Sequence, residues 1–239
     1  MDFSIILNSR GRPGTLFGLL ESIFFRAEDS ASTQVLIRVD NDDIRTLQTI
    51  PLIKSSFDNV IIEGGERPNN LHDSINDLAQ KASGKYVFVV NDDVVFLTDD
   101  WDVKISKKIE EKLEQYEDRI LYVGVSDTSV DKANHQKYAS FPILTKEAVD
   151  SLGYFMSNYF VGLGGDVHLY RVFEKIERIL LIEDVKLDHL FHSTIEKIIN
   201  PDQTAFEMRQ NTHAHPIDPW TIDISKEVDS LNEQITSRL

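Results

Sequence analysis

Cysteine is missing altogether from the 239 residues, which excludes a disulfide framework and any thiolate metal site. Glycine and proline are sparse, at 11 and 7 residues, too few for a Pro/Gly-rich linker or a collagen-like repeat. No apolar run approaches the roughly 20 residues of a membrane-spanning helix. Positive charge is also short: 25 Lys and Arg stand against 40 Asp and Glu, a formal net charge of −15. A surface of that sign repels nucleic acid and anionic lipid, which argues against extended nucleic-acid binding. An anionic small ligand therefore needs dedicated arginines or a metal ion to offset the background. The N-terminus, Met1 to Ile5, has no basic stretch and runs straight into an apolar segment. This predicts no signal peptide and, with the lack of cysteine, fits a cytoplasmic protein.

What is present is a regular alternation of apolar runs and amphipathic stretches. Residues 3–8, 34–39, 59–63 and 86–90 read as buried strands. Between them, residues 16–26 (capped by Thr15), 44–56 and 71–81 read as helices. Strand–helix alternation with short connections predicts an α/β fold with a mostly parallel central sheet covered by helices on both faces. The second half is less regular. A charged helix over 101–116 leads to a strand at 120–125, a polar stretch at 126–139, an apolar segment at 141–144 and a helix over 145–152. A glycine-rich turn at 162–165, a helix over about 166–177 and a strand at 179–186 follow, and the tail from 222 reads as one amphipathic helix. No composition shift marks a boundary, so a single domain over 1–239 is expected.

The chemistry-bearing residues collect at predicted strand ends. Asn91, Asp92 and Asp93 follow the apolar run 86–90. Adjacent carboxylates at the end of a buried strand are costly to desolvate unless a positive group meets them. A divalent cation that bridges a phosphorylated ligand answers that need. Carboxyl ends of strands are also where open α/β sheets bind ligands. The second strand ends in Asp40, Asn41, Asp42 and Asp43; its acids suit either base N–H recognition or a helix N-cap. Arg10, Arg12 and Arg67 lie in loops at the same predicted edge, where guanidinium forks suit phosphate. Asp166 opens a helix after Gly162, Gly164 and Gly165, as a cap or as a general base for an acceptor hydroxyl.

Four blocks taken together resemble the GT-A glycosyltransferases, most closely the family-2-like inverting enzymes. They are the first strand and loop (4–13), the second strand ending at Asp40–Asp42, the helix, Ser-Gly turn and acid motif (76–93), and the segment 142–166. The resemblance implies a GT-A-like fold with a nucleotide-sugar-binding half at 1–98, an acceptor half at 99–220 and a C-terminal helix at 221–239. It implies transfer of a sugar from a nucleotide-sugar donor to an acceptor hydroxyl, with Mn²⁺ or Mg²⁺ as cofactor. Asp93 and His189 (or His192) would then ligate the metal, and Asp92 would contact the donor ribose or the metal through water. Asp40 or Asp42 would read the base, Arg10 and Arg67 would hold the nucleotide, and Asp166 would be the base. Trp101 corresponds to an aromatic of the core or the acceptor wall, and His213 and His215 read as a loop. The chain departs from the family in having Asn91 where an acid is usual and Gly165-Asp166 where an acid pair is usual. Two other readings remain. One is a nucleotidyltransferase, which the loop at 10–14 disfavours because it lacks a lysine; the other is a silent nucleotide-binding protein of the same fold.

Overall fold

The computed structural model describes residues 1–129, 138–162, 164–190 and 218–237. The expected alternation is present in the first half. Strand β1 (Phe3–Ser9), helix α1 (Pro13–Arg26), β2 (Thr33–Asp40), helices α2 (Ile44–Leu47) and α3 (Ile50–Ser56), β3 (Val60–Gly65), α4 (Leu71–Lys81) and β4 (Tyr86–Val89) follow in order. The stretch read as one helix over 44–56 breaks in two because Pro51 sits in the first turn of α3 and cannot continue a preceding helix. Likewise α1 begins with Pro13 at its first position rather than behind a Thr15 cap; the Thr15 hydroxyl donates to Arg12 O at 3.1 Å.

Beyond β4 come β5 (Val94–Phe96), α5 (Trp101–Leu113), β6 (Tyr122–Asp127), β7 (Pro142–Thr145), α6 (Lys146–Leu152), α7 (Gly165–Lys175), β8 (Ile179–His189) and α8 (Ser225–Ser237). The described strands form one eight-stranded sheet in the order β3-β2-β1-β4-β7-β6-β8-β5. Pairings β2–β3, β1–β2, β1–β4 and β6–β8 are parallel, while β4–β7, β6–β7 and β5–β8 are antiparallel. The sheet is mixed, with parallel pairing predominating as expected. Two strands run against the rest: β7, between β4 and β6, and the edge strand β5, which the chain enters after a turn without the helix that a parallel crossover needs.

Both faces of the sheet are covered. Phe3, Ile5 and Leu7 of β1 pack with Leu16, Leu19, Leu20 and Ile23 of α1 and with Trp101, Ile105 and Ile109 of α5. Ile6 turns the other way, toward Ile75 and Leu78 of α4, Val149 of α6, Leu169 of α7 and Leu231 of α8. This alternation along one strand, with both sides apolar, is the pattern of a sheet buried between helix layers. Trp101 belongs to the core and not to an open wall. It is 0% exposed, its ring lies 5.0 Å from Phe3 and 4.9 Å from Phe96, and its N–H donates to Ile23 O at 3.0 Å. Asp102, in the first turn of α5, accepts the backbone N–H groups of Glu28 and Asp29 at 2.9 and 2.8 Å and so ties that turn to the segment after α1. Among the described residues no helix is long and apolar enough to cross a membrane.

Candidate functional site

The parallel strands β1, β2 and β4 end side by side, and that shared edge gathers most of the predicted residues. The turn after β4 delivers Asp92 and Asp93, 0% and 2% exposed. Ser9, the last residue of β1, donates its hydroxyl to Asp92 Oδ2 at 2.8 Å. Gly11 adopts φ +72°, a left-handed backbone that glycine accepts without strain. This bend brings the Gly11 N–H to Asp43 Oδ2 at 2.8 Å. From the next position the Arg12 guanidinium reaches both buried acids: Nη1 donates to Asp93 Oδ2 at 2.6 Å, and Nη2 pairs with Asp92 Oδ1. The cation that the sequence demanded for this pair is thus in part Arg12.

Strand register supplies the other neighbour. β5 and β8 pair so that Val94 lies opposite His189, and Leu190 N–H donates to Asp93 O at 2.9 Å. His189 is the last residue of a strand that runs to 189 instead of stopping at 186, and its Nε2 stands 3.3 Å from Asp93 Oδ1. Phe141 holds the imidazole edge-on at 5.0 Å. The electrostatics of the two acids diverge. Burial pushes the Asp92 carboxyl above the ordinary range, against the pull of Arg12. Burial acts on Asp93 in the same sense, but the His189 and Arg12 contacts outweigh it and hold that carboxyl below the ordinary range.

The donor atoms present allow a test of the implied metal. Among the described residues, no three His, Asp or Glu side chains converge on one point. Asp93 Oδ1 is buried and accepts no well-formed hydrogen bond, and it faces His189 Nε2 across 3.3 Å. Two ligands about 2.1 Å from a common ion and at right angles to each other lie about 3 Å apart. The pair therefore fits two adjacent ligand positions, with the remaining positions left to groups from outside the described residues. His192, His213 and His215 lie outside them.

At the end of β2, Arg10 forks onto Asp42, with Nη2 to Oδ2 at 3.0 Å, and its Nη1 also reaches Asp40 Oδ2 at 3.0 Å. The Asp42 bond, followed by Asp40, raises the guanidinium pKa despite some burial. Arg10 in turn lowers Asp42, whereas burial keeps Asp40 above its ordinary value. The field of Arg67 reaches both acids. Arg10 thus faces the two acids expected to read a base. Asp43 takes the capping role, accepting Thr46 N–H at 3.2 Å at the start of α2.

Asp166 stands in the first turn of α7 and joins the same edge through a relay of contacts. Asn8, near the end of β1, donates to Leu71 O at 3.1 Å and accepts from the Ser74 hydroxyl at 2.9 Å, which docks the start of α4. His72, next in α4, fixes its Nδ1 against Ser157 O at 2.8 Å. A Cβ at Gly165 would lie 2.6 Å from His72 Cε1. The His72 ring therefore fills the space that a side chain at 165 would need, which accounts for glycine before Asp166. Asp166 remains partly open to solvent. Burial raises its carboxyl to about 6, against the Val167 N–H that donates to Oδ1 at 2.9 Å. Tyr122 and Tyr138 lie close enough to feel its charge.

Ser9, His72 and the Gly11 contact of Asp43 escaped the sequence reading, whereas the capping role of Asp43 was among its expectations. Only Ser9 left a usable signal, as a polar residue closing an apolar strand beside the acid motif's strand. The contacts of the other two depend on loops that meet only in the folded chain.

No protein-family profile matches the sequence, and no curated protein matches it. Solved structures do. A structure of S. aureus TarS 1-349 in complex with UDP-GlcNAc superposes with a TM-score of 0.63 at 12% identity, over 100% of this chain and 82% of that one. The mannosyltransferase PcManGT from Pyrobaculum calidifontis, in complex with GDP-Man and Mn²⁺, gives 0.60 at 12% identity, over 98% and 74%. GalNAc-T7 with UDP, GalNAc and Mn²⁺ gives 0.64 at 11% identity, over 98% of this chain and 54% of that one. The fold is the GT-A fold. At these identities the likeness carries the GT-A architecture and leaves the chemistry to this chain's own residues.

Proposed function

We propose that this GT-A chain is a metal-dependent inverting glycosyltransferase that moves a sugar from a nucleotide-sugar donor to an acceptor hydroxyl. The observation that carries the reading is the buried Asp92–Asp93 pair at the carboxyl edge of the sheet, with His189 drawn onto Asp93 by the β5–β8 register. Neighbours of the same fold hold UDP-GlcNAc, or GDP-Man and Mn²⁺. Residues 1–98 form the donor half in this reading and 99–220 the acceptor half, and the protein works in the cytoplasm.

Asp40 or Asp42 accepts a base N–H, and Arg10 and Arg67 steady that acidic site and the nucleotide. Asp92 receives the donor ribose or a metal-bound water. Asp93 and His189 hold Mn²⁺ or Mg²⁺, which when bound neutralises charge on the leaving nucleoside diphosphate. Asp166 takes the proton from the acceptor hydroxyl as its oxygen attacks the anomeric carbon opposite the departing diphosphate. The bond from that carbon to the phosphate oxygen breaks with its electron pair going to the diphosphate, so the configuration inverts.

The test is turnover with UDP-GlcNAc, UDP-GalNAc and GDP-Man against an acceptor panel, followed by nucleoside diphosphate release and by the anomeric proton coupling of the product. Inverted product from one donor is the expected result. Retained configuration rules out Asp166 as the base of a single displacement. Absence of turnover and of hydrolysis with every donor favours a silent binding protein.

A further inference from the structure

Arg12 stands beside the place of an incoming cation, on Asp93 Oδ2, while Asp93 Oδ1 and His189 Nε2 form the candidate ligand pair. The Arg12 guanidinium spans two adjacent carboxylates that are almost wholly buried, and its own side chain is only 14% exposed. Both carboxylates are thus already engaged, by the one guanidinium and, at Asp93 Oδ1, by His189 Nε2 at 3.3 Å. A free divalent ion arriving at Asp93 would meet a buried positive charge beside it, with no anion present to take the guanidinium over. A diphosphate changes this balance. The planar fork of arginine fits carboxylate and phosphate oxygens alike, so it can exchange one pair of charge-assisted bonds for another.

We propose that Arg12 is a displaceable counter-cation. It holds Asp92 and Asp93 in the nucleotide-free protein, keeps free divalent metal out, and passes to the phosphates when metal and diphosphate arrive together. The proposal rests on the metal–diphosphate reading of this site given above. It has a thermodynamic consequence, because metal and nucleotide must each strengthen binding of the other by the same factor.

The experiment is Mn²⁺ binding to the whole protein, followed by loss of the free-ion paramagnetic resonance signal, for wild type, Arg12→Gln and Arg12→Lys without nucleotide. In parallel, wild-type melting is recorded with UDP or GDP, with and without Mn²⁺. Arg12→Gln is expected to bind Mn²⁺ alone at least about tenfold more tightly than wild type, because it leaves two carboxylates without their cation. Arg12→Lys falls between them, since a single ammonium cannot fork across both acids; it also serves if the glutamine variant does not fold. Equal Mn²⁺ affinity in wild type and the folded variants, alongside a Mn²⁺-dependent nucleotide shift in wild type, overturns the counter-cation role and leaves the donor site standing. No Mn²⁺ binding by any variant, and no Mn²⁺-dependent shift with either nucleotide, removes the metal reading and this proposal with it.

Discussion

Asp166→Asn lowers sugar transfer by about 100- to 10,000-fold, the range of a lost general base, while nucleotide affinity stays within about twofold. The asparagine is close to isosteric and can still accept the Val167 N–H that Asp166 accepts at 2.9 Å, so the turn at the start of α7 is retained. What disappears is the basic oxygen. The pH profile gives a second, independent readout. Burial raises the Asp166 carboxyl to about 6, and the reaction needs its ionised form. Rate therefore rises with pH through about 6 and levels off above it. At pH 5 only about a tenth of the sites carry the carboxylate, and at pH 7 about nine tenths do. An acid limb near 4 would belong to an ordinary exposed carboxylate instead. A full rate in Asp166→Asn, or an unchanged pH profile, would assign the base elsewhere.

Trp101→Ala destabilises the protein by about 3–5 kcal/mol, the usual cost of emptying a large aromatic site in a core. The ring is enclosed by Phe3 and Phe96, and removing its N–H leaves Ile23 O without its 3.0 Å donor. For a domain of this size the melting temperature falls by roughly 6–20 °C. The loss also reaches the site. Phe96 belongs to β5, which is held to α1 by the bond from its N–H to Ser22 Oγ at 3.0 Å and which sets His189 opposite Val94. Loosening β5 therefore weakens the hold on Asp93 before the chain unfolds globally. Calorimetric or chemical melts of wild type and variant decide the matter. A change below about 1 kcal/mol with a raised acceptor KM would instead return Trp101 to the acceptor wall.

The apolar run before Asn91 identified a buried strand, and the cost of leaving two acids unpaired at its end pointed to a cationic partner. Both inferences use only neighbours along the chain. Which cation meets those acids depends on contacts across the fold, and Arg12 lies some 80 positions away from them in sequence. β5 stayed hidden because three residues show no period that separates a strand from a turn. Its antiparallel pairing with β8 placed His189 beside Asp93. The break at Pro51 was legible in principle, since proline in a helical pattern ends the preceding helix. Gly165 could not be explained from the sequence, because its reason is the ring of His72, which reaches it from another helix.

The most direct test of the central claim is the melting temperature of wild type and Asp93→Asn with UDP, GDP, CDP and ADP, each with and without Mn²⁺. A ligand that binds only the folded state raises the melting temperature by linkage. The expected result is an increase with one base, dependent on Mn²⁺ and lost in Asp93→Asn. If no nucleotide shifts the wild-type curve under either condition, the acids at the end of β4 do not form a donor site, and the GT-A fold here serves another purpose.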